Sequence, residues 1–316
     1  MTVNLAVVGL GAFGQKHLDA VAQIADAKIQ YVAHSKMDVA EEVARKYGAK
    51  AAFTDYSALL QQDDLDGVIL ATPTQLHHDQ TVEALRAGKH VMVEIPMGDS
   101  LAAVQDIVEV QQQTGLIAMA GHTRRFNPSH QYVHQRITAG EFSIQQMDVQ
   151  TYFFRRSNTN ALGQPRSWTD HLLWHHAAHT VDLFQYQTGE KVVQTGAVQG
   201  PKHPELGIAL DMSIQLKTEG GKICTLSLSF NNDGPFGAFF RYIGDTATFV
   251  ARYDDLYTGK EEQIDVSGVA VSMNGIELQD REFVSAISKG REPNSSVAQV
   301  LPCYLVLDSL QRQLDY

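Results

Sequence analysis

The chain has little of several features that define whole classes of protein. Only two cysteines, Cys224 and Cys303, occur among its 316 residues, which excludes a disulfide framework and a cysteine zinc site. No apolar run approaches the roughly 18 residues of a membrane helix, and the chain starts without the basic leader of a secretory signal. Lys and Arg number 25 against 36 Asp and Glu, which argues against a general nucleic-acid surface. We expect a cytoplasmic protein without nucleic-acid or membrane partners.

What is present is the composition of an ordinary folded protein, with 44% hydrophobic and 19% charged residues. Residues 1–120 alternate short apolar runs, such as residues 5–8 and 67–71, with helical patterns, such as residues 101–113. Repeated alternation of strand and helix is typical of a parallel sheet covered on both faces. We therefore predict an α/β fold whose first domain, residues 1–120, is a dinucleotide-binding Rossmann domain.

The pattern of predicted elements changes in residues 121–316. Strand-like segments follow one another with few helices between them, which predicts an α+β domain with an open-faced, mainly antiparallel sheet. We expect this domain to bind substrate, and its exposed sheet face to form a homo-oligomer, a dimer or larger. The predicted strands are 145–154, 209–217, 222–230 and 246–253, and the predicted helices are 168–188, 280–288 and 296–314.

A glycine-rich segment, Gly-Leu-Gly-Ala-Phe-Gly at residues 9–14, directly follows the first predicted strand and opens a helix. That context is the one in which such a segment binds the pyrophosphate of a dinucleotide at a helix N-terminus. The alternative is a glycine turn without a ligand. The residues that we expect to bind the cofactor here are Gly9, Gly11, Ala12, Phe13 and Gly14.

The end of the second predicted strand indicates which nicotinamide cofactor fits. An NAD site usually has Asp or Glu at this position, whereas this chain has His34, Ser35 and Lys36. Ser35 can donate a hydrogen bond to a 2′-phosphate, and Lys36 can neutralise its charge. We predict NADP as the cofactor, with NAD weaker. A lysine that is merely solvated after a strand is the alternative.

Three further motifs resemble a known family. Residues 71–77 (Ala-Thr-Pro-Thr-Gln-Leu-His), 84–91 (Ala-Leu-Arg-Ala-Gly-Lys-His-Val) and 94–96 (Glu-Ile-Pro) resemble the glucose–fructose oxidoreductase / inositol dehydrogenase / MocA family. The resemblance implies a Rossmann domain followed by an antiparallel sheet, and hydride transfer between NAD(P) and a carbinol carbon, usually of a sugar. We assign to the cofactor region Thr72, Pro73, Thr74, His77, Glu94, Ile95 and Pro96, and the resemblance implies that Pro96 is a cis proline.

The chain departs from that family at two positions of its expected catalytic machinery. Ile95 stands where the family has a lysine beside the nicotinamide. In the family's second-domain signature, Asp-x-Gly-x-His-x-x-Asp, His179 and Asp182 match, whereas the catalytic Asp has become His175 and the Gly has become Ala177. Both departures speak against ordinary sugar oxidation.

A narrower resemblance lies in residues 122–128, 155–156 and 168–179. They are similar to a branch of the family that oxidises the ring-cleavage product of protocatechuate, in the catabolism of lignin-derived aromatics. This implies NADP-dependent oxidation of the cyclic hemiacetal of 4-carboxy-2-hydroxymuconate-6-semialdehyde to 2-pyrone-4,6-dicarboxylate. Oxidation of a sugar or dihydrodiol, and a non-catalytic NADP-binding sensor, remain as alternatives.

Four of the 13 histidines lie between residues 171 and 179. On an α-helix, His171, His175, His179 and Asp182 share one face. This face is a general-base site, a metal site, or a polar surface against solvent or a partner subunit. We expect no metal, because hydride transfer to NADP requires none. We predict that His179 is the base, that Asp182 orients it, and that His175 or His176 polarises the hydroxyl or binds a carboxylate.

A dicarboxylate substrate also requires cations, and arginine binds carboxylates through paired hydrogen bonds. Arginines cluster locally in this acidic chain, and those at 124, 155 and 156 flank the expected cleft between domains. Surface or interface roles are the alternative for each one. The predicted substrate-binding residues are Arg124, Arg125, Arg155, Arg156 and Arg166.

Overall fold

The computed structural model describes residues 2–159, 163, 165, 169–268 and 275–314. Arg166 and Trp168, which we assigned to the substrate site and to the start of a helix, lie outside the described residues. The chain forms two compact units. One contains the residues up to His122 together with Ile276–Leu301, and the other contains Thr123–Gly275 and the residues from Pro302 onward.

The first unit is built on a parallel sheet with helices between successive strands. Its strands are β1 (Val3–Val8), β2 (Ala27–Ala33), β3 (Ala51–Phe53), β4 (Gly67–Leu70), β5 (His90–Val93) and β6 (Ala118–Ala120). Its helices are α1 (Ala12–Val21), α2 (Met37–Tyr47), α3 (Tyr56–Leu60), α4 (His77–Arg86) and α5 (Leu101–Thr114). The strand order is β3-β2-β1-β4-β5-β6, and all strand pairs are parallel. Every residue of β4 is buried, as expected for a strand covered on both faces. The predicted Rossmann fold is confirmed.

The second unit is built on a larger, mixed sheet. It contains α6 (Pro128–Thr138), β7 (Ile144–Tyr152), a π-helical segment (Leu172–Ala177), α7 (Ala178–Thr188), β8 (Val192–Gln199), β9 (Asp211–Thr218), β10 (Ile223–Ser229), β11 (Gly237–Gly244), β12 (Thr248–Arg252), β13 (Asp255–Thr258) and β14 (Gln263–Ile264). The strand order is β14-β13-β12-β11-β7-β10-β9-β8. Neighbouring strands are antiparallel except β7 and β10, which run parallel. Burial alternates along β9, so one face of the sheet is covered and the other is open, as predicted.

Near its end, the chain returns to the first unit. Helix α8 (Ile276–Lys289) packs against α1, and α9 (Val297–Leu314) follows it. Ser295 bonds to Ala120 twice, through its hydroxyl to the carbonyl (2.7 Å) and through its carbonyl to the amide (2.9 Å). Ser296 also pairs with Met119, so this segment covers the open edge of β6. We had placed residues 276–301 in the second domain; a single boundary at residue 120 misses this return.

The helix that we predicted over residues 168–188 also differs in its first half. It begins as the π-helical segment, capped by His171, and becomes α-helical only at Ala178. No helix among the described residues has the length and apolar content to cross a membrane.

Candidate active site

The glycine-rich segment between β1 and α1 is a tight turn with an open centre. Gly9 has a φ of +89°, and a Cβ there would lie 2.6 Å from the Ala71 carbonyl oxygen. A Cβ on Gly14 would lie 1.9 Å from the Gly9 oxygen, whereas a Cβ on Gly11 meets nothing within 4 Å. Gly9 and Gly14 therefore serve the packing of strand against helix, and Gly11 leaves the backbone accessible to a ligand.

The N-terminus of α1 has the features that a pyrophosphate needs. Its N-cap residue, Gly11, has no side chain to bond the first N–H groups of the helix. These groups and the helix dipole favour an anion at this position. The turn between β1 and α1 therefore fits a dinucleotide, and Ala12 and Phe13 are the first residues of the helix that faces it.

The carboxyl end of β2 presents polar residues to solvent. Ser35 and Lys36 are exposed, and the Lys36 amide donates a hydrogen bond to Nδ1 of His34 (3.2 Å). Since Nδ1 accepts this bond, the ring proton of a neutral His34 lies on Nε2, where it can donate to a ligand. No carboxylate occupies positions 34–36, where an NAD site usually has the Asp or Glu that binds the ribose 2′-hydroxyl.

His77 holds two loops together. Its Nε2 lies 2.8 Å from the carbonyl oxygen of Thr72, and its Nδ1 lies 2.8 Å from that of Pro96. Burial lowers the pKa of His77, against the two carbonyl contacts that favour the protonated ring. His77 is 2% exposed and bridges the turns that carry Thr72 and Pro96, with the single N–H of a neutral ring donated to one of the two carbonyl oxygens. Its contact with the cofactor stays a prediction.

Those two turns lie at the carboxyl ends of β4 and β5, where ligands of open parallel sheets bind. The Ile95–Pro96 peptide bond is cis, as the family resemblance implied. The Thr72 hydroxyl donates to Gln80 Oε1 (2.6 Å), and Thr74 is buried. Thr72 and Thr74 are thereby fixed within the turn after β4.

Glu94 belongs to a buried cluster that we did not predict. Nε2 of His17 lies 3.0 Å from Glu94 Oε1, and Nδ1 of His17 lies 3.0 Å from both carboxyl oxygens of Asp280. The Gln279 amide reaches the same Glu94 oxygen at 3.3 Å. His17 and Asp280 are fully buried.

The charges of this cluster stabilise one another. Burial opposes protonation of His17, but the charges and hydrogen bonds of Asp280 and Glu94 raise its pKa to about 10. Burial raises the pKa of Asp280 to about 6, against the pull of His17. Burial also acts to raise the pKa of Glu94, yet His17 holds it below its ordinary value. At neutral pH the cluster therefore consists of an imidazolium between two carboxylates.

In the second unit, two of the predicted histidines cap the π-helical segment. Nδ1 of His171 accepts a hydrogen bond from the Leu173 amide (3.2 Å), and Nδ1 of His175 accepts one from the His171 amide (3.0 Å). The geometry resembles a capping box, in which two side chains satisfy the open N–H groups of a helix start. Because π-helical bonding connects residues five apart, the single α-helical face that we predicted for residues 171–182 does not form as expected.

A second polar cluster lies where β7 and β10 end. The two strands run parallel, so the residues that follow them, Phe153 and Phe230, come together on either side of His176, at ring distances of 5.4 and 5.0 Å. Arg155 Nη2 donates to Asp170 Oδ2 (2.6 Å), and His176 Nε2 lies 3.8 Å from the same oxygen. Burial acts to raise the pKa of Asp170, but His176 and Arg155 hold it well below its usual range.

The arrangement of Arg155, Asp170 and His176 suits an anionic ligand. The three side chains are between 13% and 19% exposed, so the cluster is accessible from solvent. It brings together Arg155 and His176, which we predicted, and Asp170, which we did not. The guanidinium of Arg155 and the imidazole of His176 bring N–H donors to the same place, and such donors can bind the oxygens of an anion.

Asp182 has a partner that we did not predict. Arg125 donates from Nε to Oδ2 (2.8 Å) and from Nη2 to Oδ1 (2.6 Å) of this carboxylate. Both side chains are at least 95% buried, and the Arg125 guanidinium stacks over the Tyr186 ring at 4.6 Å. Arg125 and Asp182 therefore form a buried, paired ion bridge, and the roles that we predicted for them, as a substrate ligand and as the orienting group of His179, stay predictions.

The other predicted site residues differ in exposure. His179 is half-buried in the first turn of α7. Arg124 bonds Asn127 Oδ1 (3.2 Å) and lies over the Tyr253 ring at 5.0 Å. Arg156 is exposed and donates to the carbonyl oxygens of Arg155 (2.9 Å) and Phe230 (3.2 Å).

No set of side chains within the described ranges has the arrangement of a metal site.

Comparison with known proteins identifies both units. A family model described as an oxidoreductase family with an NAD-binding Rossmann fold (GFO/IDH/MocA) matches residues 3–122, and one described as bacterial oxidoreductases, C-terminal, matches residues 128–270. Levoglucosan dehydrogenase in complex with NADH has the same fold, with a TM-score of 0.89 at 18% sequence identity, covering 100% of this chain and 97% of that one.

Two curated relatives are similar in sequence. The 4-carboxy-2-hydroxymuconate-6-semialdehyde dehydrogenase of Sphingobium sp. strain SYK-6 is 66% identical over 313 residues, which is 99% of each chain. The scyllo-inositol 2-dehydrogenase (NAD(+)) of Bacillus subtilis is 36% identical over 140 residues, which is 44% of this chain and 41% of that protein. Similarity to the first relative therefore extends over both units, and similarity to the second covers less than half of either chain.

Proposed function

Because this chain belongs to the GFO/IDH/MocA oxidoreductase family, we propose that it oxidises the cyclic hemiacetal of 4-carboxy-2-hydroxymuconate-6-semialdehyde to 2-pyrone-4,6-dicarboxylate, with NADP as the oxidant. The observation that carries this proposal is the 66% identity to the Sphingobium dehydrogenase along 99% of both chains. The reaction belongs to the 4,5-cleavage catabolism of protocatechuate.

The hemiacetal form of the substrate explains how oxidation proceeds without a nucleophilic thiol. An aldehyde needs a nucleophile before its carbon can donate a hydride. Both cysteines are buried, and burial raises the pKa values of the Cys224 and Cys303 thiols. The substrate's own enol oxygen adds to its aldehyde instead, and the product is a ring carbon that bears O–H and C–H. Loss of that proton and of a hydride gives the lactone.

The residues of the first unit would hold the cofactor. The open turn at Gly11 and the N-terminus of α1 fit the pyrophosphate, and Ser35 and Lys36 fit a 2′-phosphate. When bound, NADP⁺ supplies a nicotinamide carbon that accepts the hydride. Ile95 replaces the family lysine, so the proton must go to another group.

The residues of the second unit would bind and deprotonate the substrate. We assign His179 as the base that accepts the hemiacetal proton, because it matches the histidine of the family signature and is half-buried. Arg155 and His176 would bind a substrate carboxylate, and Asp170 holds both side chains. Arg124, Arg156 and His175 remain candidates for the second carboxylate.

The test is an assay of the purified protein with enzymatically ring-cleaved protocatechuate and NADP⁺. We expect NADPH and 2-pyrone-4,6-dicarboxylate to form in equal amounts. Turnover of inositol or another sugar, with none of the ring-cleavage product, would assign the chain to the sugar-oxidising part of the family. Binding of NADP⁺ without turnover of either class would favour the sensor.

Replacing Lys36 with Ala tests the choice of cofactor. We expect kcat/KM for NADP⁺ to fall about tenfold or more, because a charged hydrogen bond to phosphate is lost, while kcat/KM for NAD⁺ changes little. Lys28→Ala is the matched control, since Lys28 is an exposed lysine near the start of β2, the strand that precedes Lys36. A wild-type preference for NAD⁺, or an equal loss with both cofactors, would contradict the assignment.

A further inference from the structure

The cluster of His17, Glu94 and Asp280 places three ionisable side chains in the core of the first unit, where apolar residues are usual. A buried ion pair stabilises a fold less than well-packed apolar residues of similar volume often do. Here α1 and α8 already pack against each other, and the cluster places charges of both signs among them. The presence of these charges in the core therefore points to a role beyond packing.

The position of Glu94, the most exposed member of the cluster, indicates that role. Glu94 directly follows β5, at the carboxyl edge of the sheet where ligands of this fold bind. Its described bonds, from His17 and Gln279, both reach Oε1, and its side chain keeps 13% of its surface exposed. Gly121 packs closely against the held oxygen, since a Cβ there would lie 2.7 Å from Oε1. Glu94 is thus held on one side and open on the other.

The position of Glu94 along the sheet indicates which part of a dinucleotide it meets. Strand order reverses between β1 and β4, so the glycine-rich turn and Lys36 lie on one side of that point and β5 lies on the other. A dinucleotide extends across this point, with its adenine half on the β1–β2 side and its nicotinamide half beyond β4. Glu94 therefore belongs to the nicotinamide half, where a carboxylate can accept hydrogen bonds from ribose hydroxyls.

We propose that His17 and Asp280 are positioning residues for Glu94, which they hold oriented so that its outer oxygen binds the ribose of the nicotinamide half of the cofactor. The inference rests on the proposed function only in requiring a nicotinamide dinucleotide. The inference also assigns a function to α8, the helix with which the chain returns to the first unit. This helix supplies Asp280, which lies 263 residues after His17.

The test compares the affinity of the whole cofactor with that of its adenine half. NADP⁺ and 2′,5′-ADP, which lacks the nicotinamide and its ribose, are titrated calorimetrically into the wild-type chain and into His17→Gln, Asp280→Asn and Glu94→Gln. We expect each variant to bind NADP⁺ about tenfold more weakly, the effect of one charged hydrogen bond, and to bind 2′,5′-ADP as the wild type does. His78→Gln is the matched control, because His78 also pairs with carboxylates, Asp79 and Asp106, but on the surface.

A double replacement distinguishes positioning from simple stabilisation. If His17 acts through Glu94, then His17→Gln has no further effect on NADP⁺ affinity in a Glu94→Gln background. Equal loss of NADP⁺ and 2′,5′-ADP affinity, no loss of either, or fully additive effects would each overturn the inference. Failure of the wild type to bind NADP⁺ or NAD⁺ would instead remove the proposed cofactor, and the inference with it.

Discussion

Replacing His179 with Ala is expected to lower kcat by about 10²–10⁴-fold, the range measured when a general base is removed. His179 is half-buried in the first turn of α7 and matches the histidine of the family signature. The hemiacetal proton must leave as the hydride does, and Ile95 cannot accept it. The affinity for NADP⁺ should stay close to that of the wild type, since the first unit alone carries the predicted cofactor residues. Steady-state kinetics with the ring-cleavage product, together with calorimetric NADP⁺ binding, measure both quantities.

Two comparisons make the His179 result specific. His203→Gln is the control, because His203 is a half-buried histidine of the same unit. Its ring accepts hydrogen bonds from two amides of its own loop, those of Glu205 and Leu206. His176→Ala should raise the substrate KM more than it lowers kcat, as expected of a carboxylate ligand. Near-normal kcat for a folded His179→Ala protein, with the large loss in His176→Ala, would transfer the role of base to His176.

Replacing Arg125 with Met is expected to lower the free energy of unfolding by about 3–5 kcal/mol, because it leaves the buried Asp182 carboxylate without its paired donor. The two side chains are at most 5% exposed and joined by two hydrogen bonds, so solvent cannot replace the guanidinium. Chemical denaturation of the full chain, followed by fluorescence and circular dichroism, measures the change.

The double variant Arg125→Met/Asp182→Leu should regain much of that stability, since it removes both charges together. Arg136→Met is the control for loss of an arginine, because the pair of Arg136 and Glu141 is exposed and contributes about 1 kcal/mol or less. If Arg125→Met left stability intact and raised only the substrate KM, our first assignment of Arg125 as a substrate ligand would stand and the structural role would fail.

The features that the sequence predicted well are those set by neighbouring residues. The β1–turn–α1 unit is specified by three glycines within six residues: Gly9 is required by its positive φ and Gly14 by its contact with the Gly9 oxygen, whereas Gly11 leaves the backbone accessible. The alternation along β9 follows from the pleat of a strand with one covered face. The family and its narrower branch were also identified correctly, because the motifs that carry them are short and continuous.

The features that it missed depend on residues far apart in the chain. His17 and Asp280 each lie in a helix with an ordinary amphipathic pattern, and nothing local indicates that these helices meet. Arg125 and Asp182 are 57 residues apart, and the spacing of Asp182 from His179 suggested a nearer partner. The π-helical segment was missed because apolar periodicity does not reveal a change from i→i+4 to i→i+5 bonding. Strand β11 was missed because its run of apolar residues starts and ends with glycine.

The packing of α8 against α1 has a consequence for how the chain folds during its synthesis on the ribosome. Until residue 280 has emerged, His17 has no Asp280 to pair with, and until Ser295 follows, the edge of β6 is uncovered. The Rossmann sheet is therefore first in order of synthesis but among the last parts to be completed. A fragment that ends at residue 122 would carry a buried histidine with half of its partners and a bare strand edge, so a separately produced cofactor domain needs residues 276–301 supplied with it.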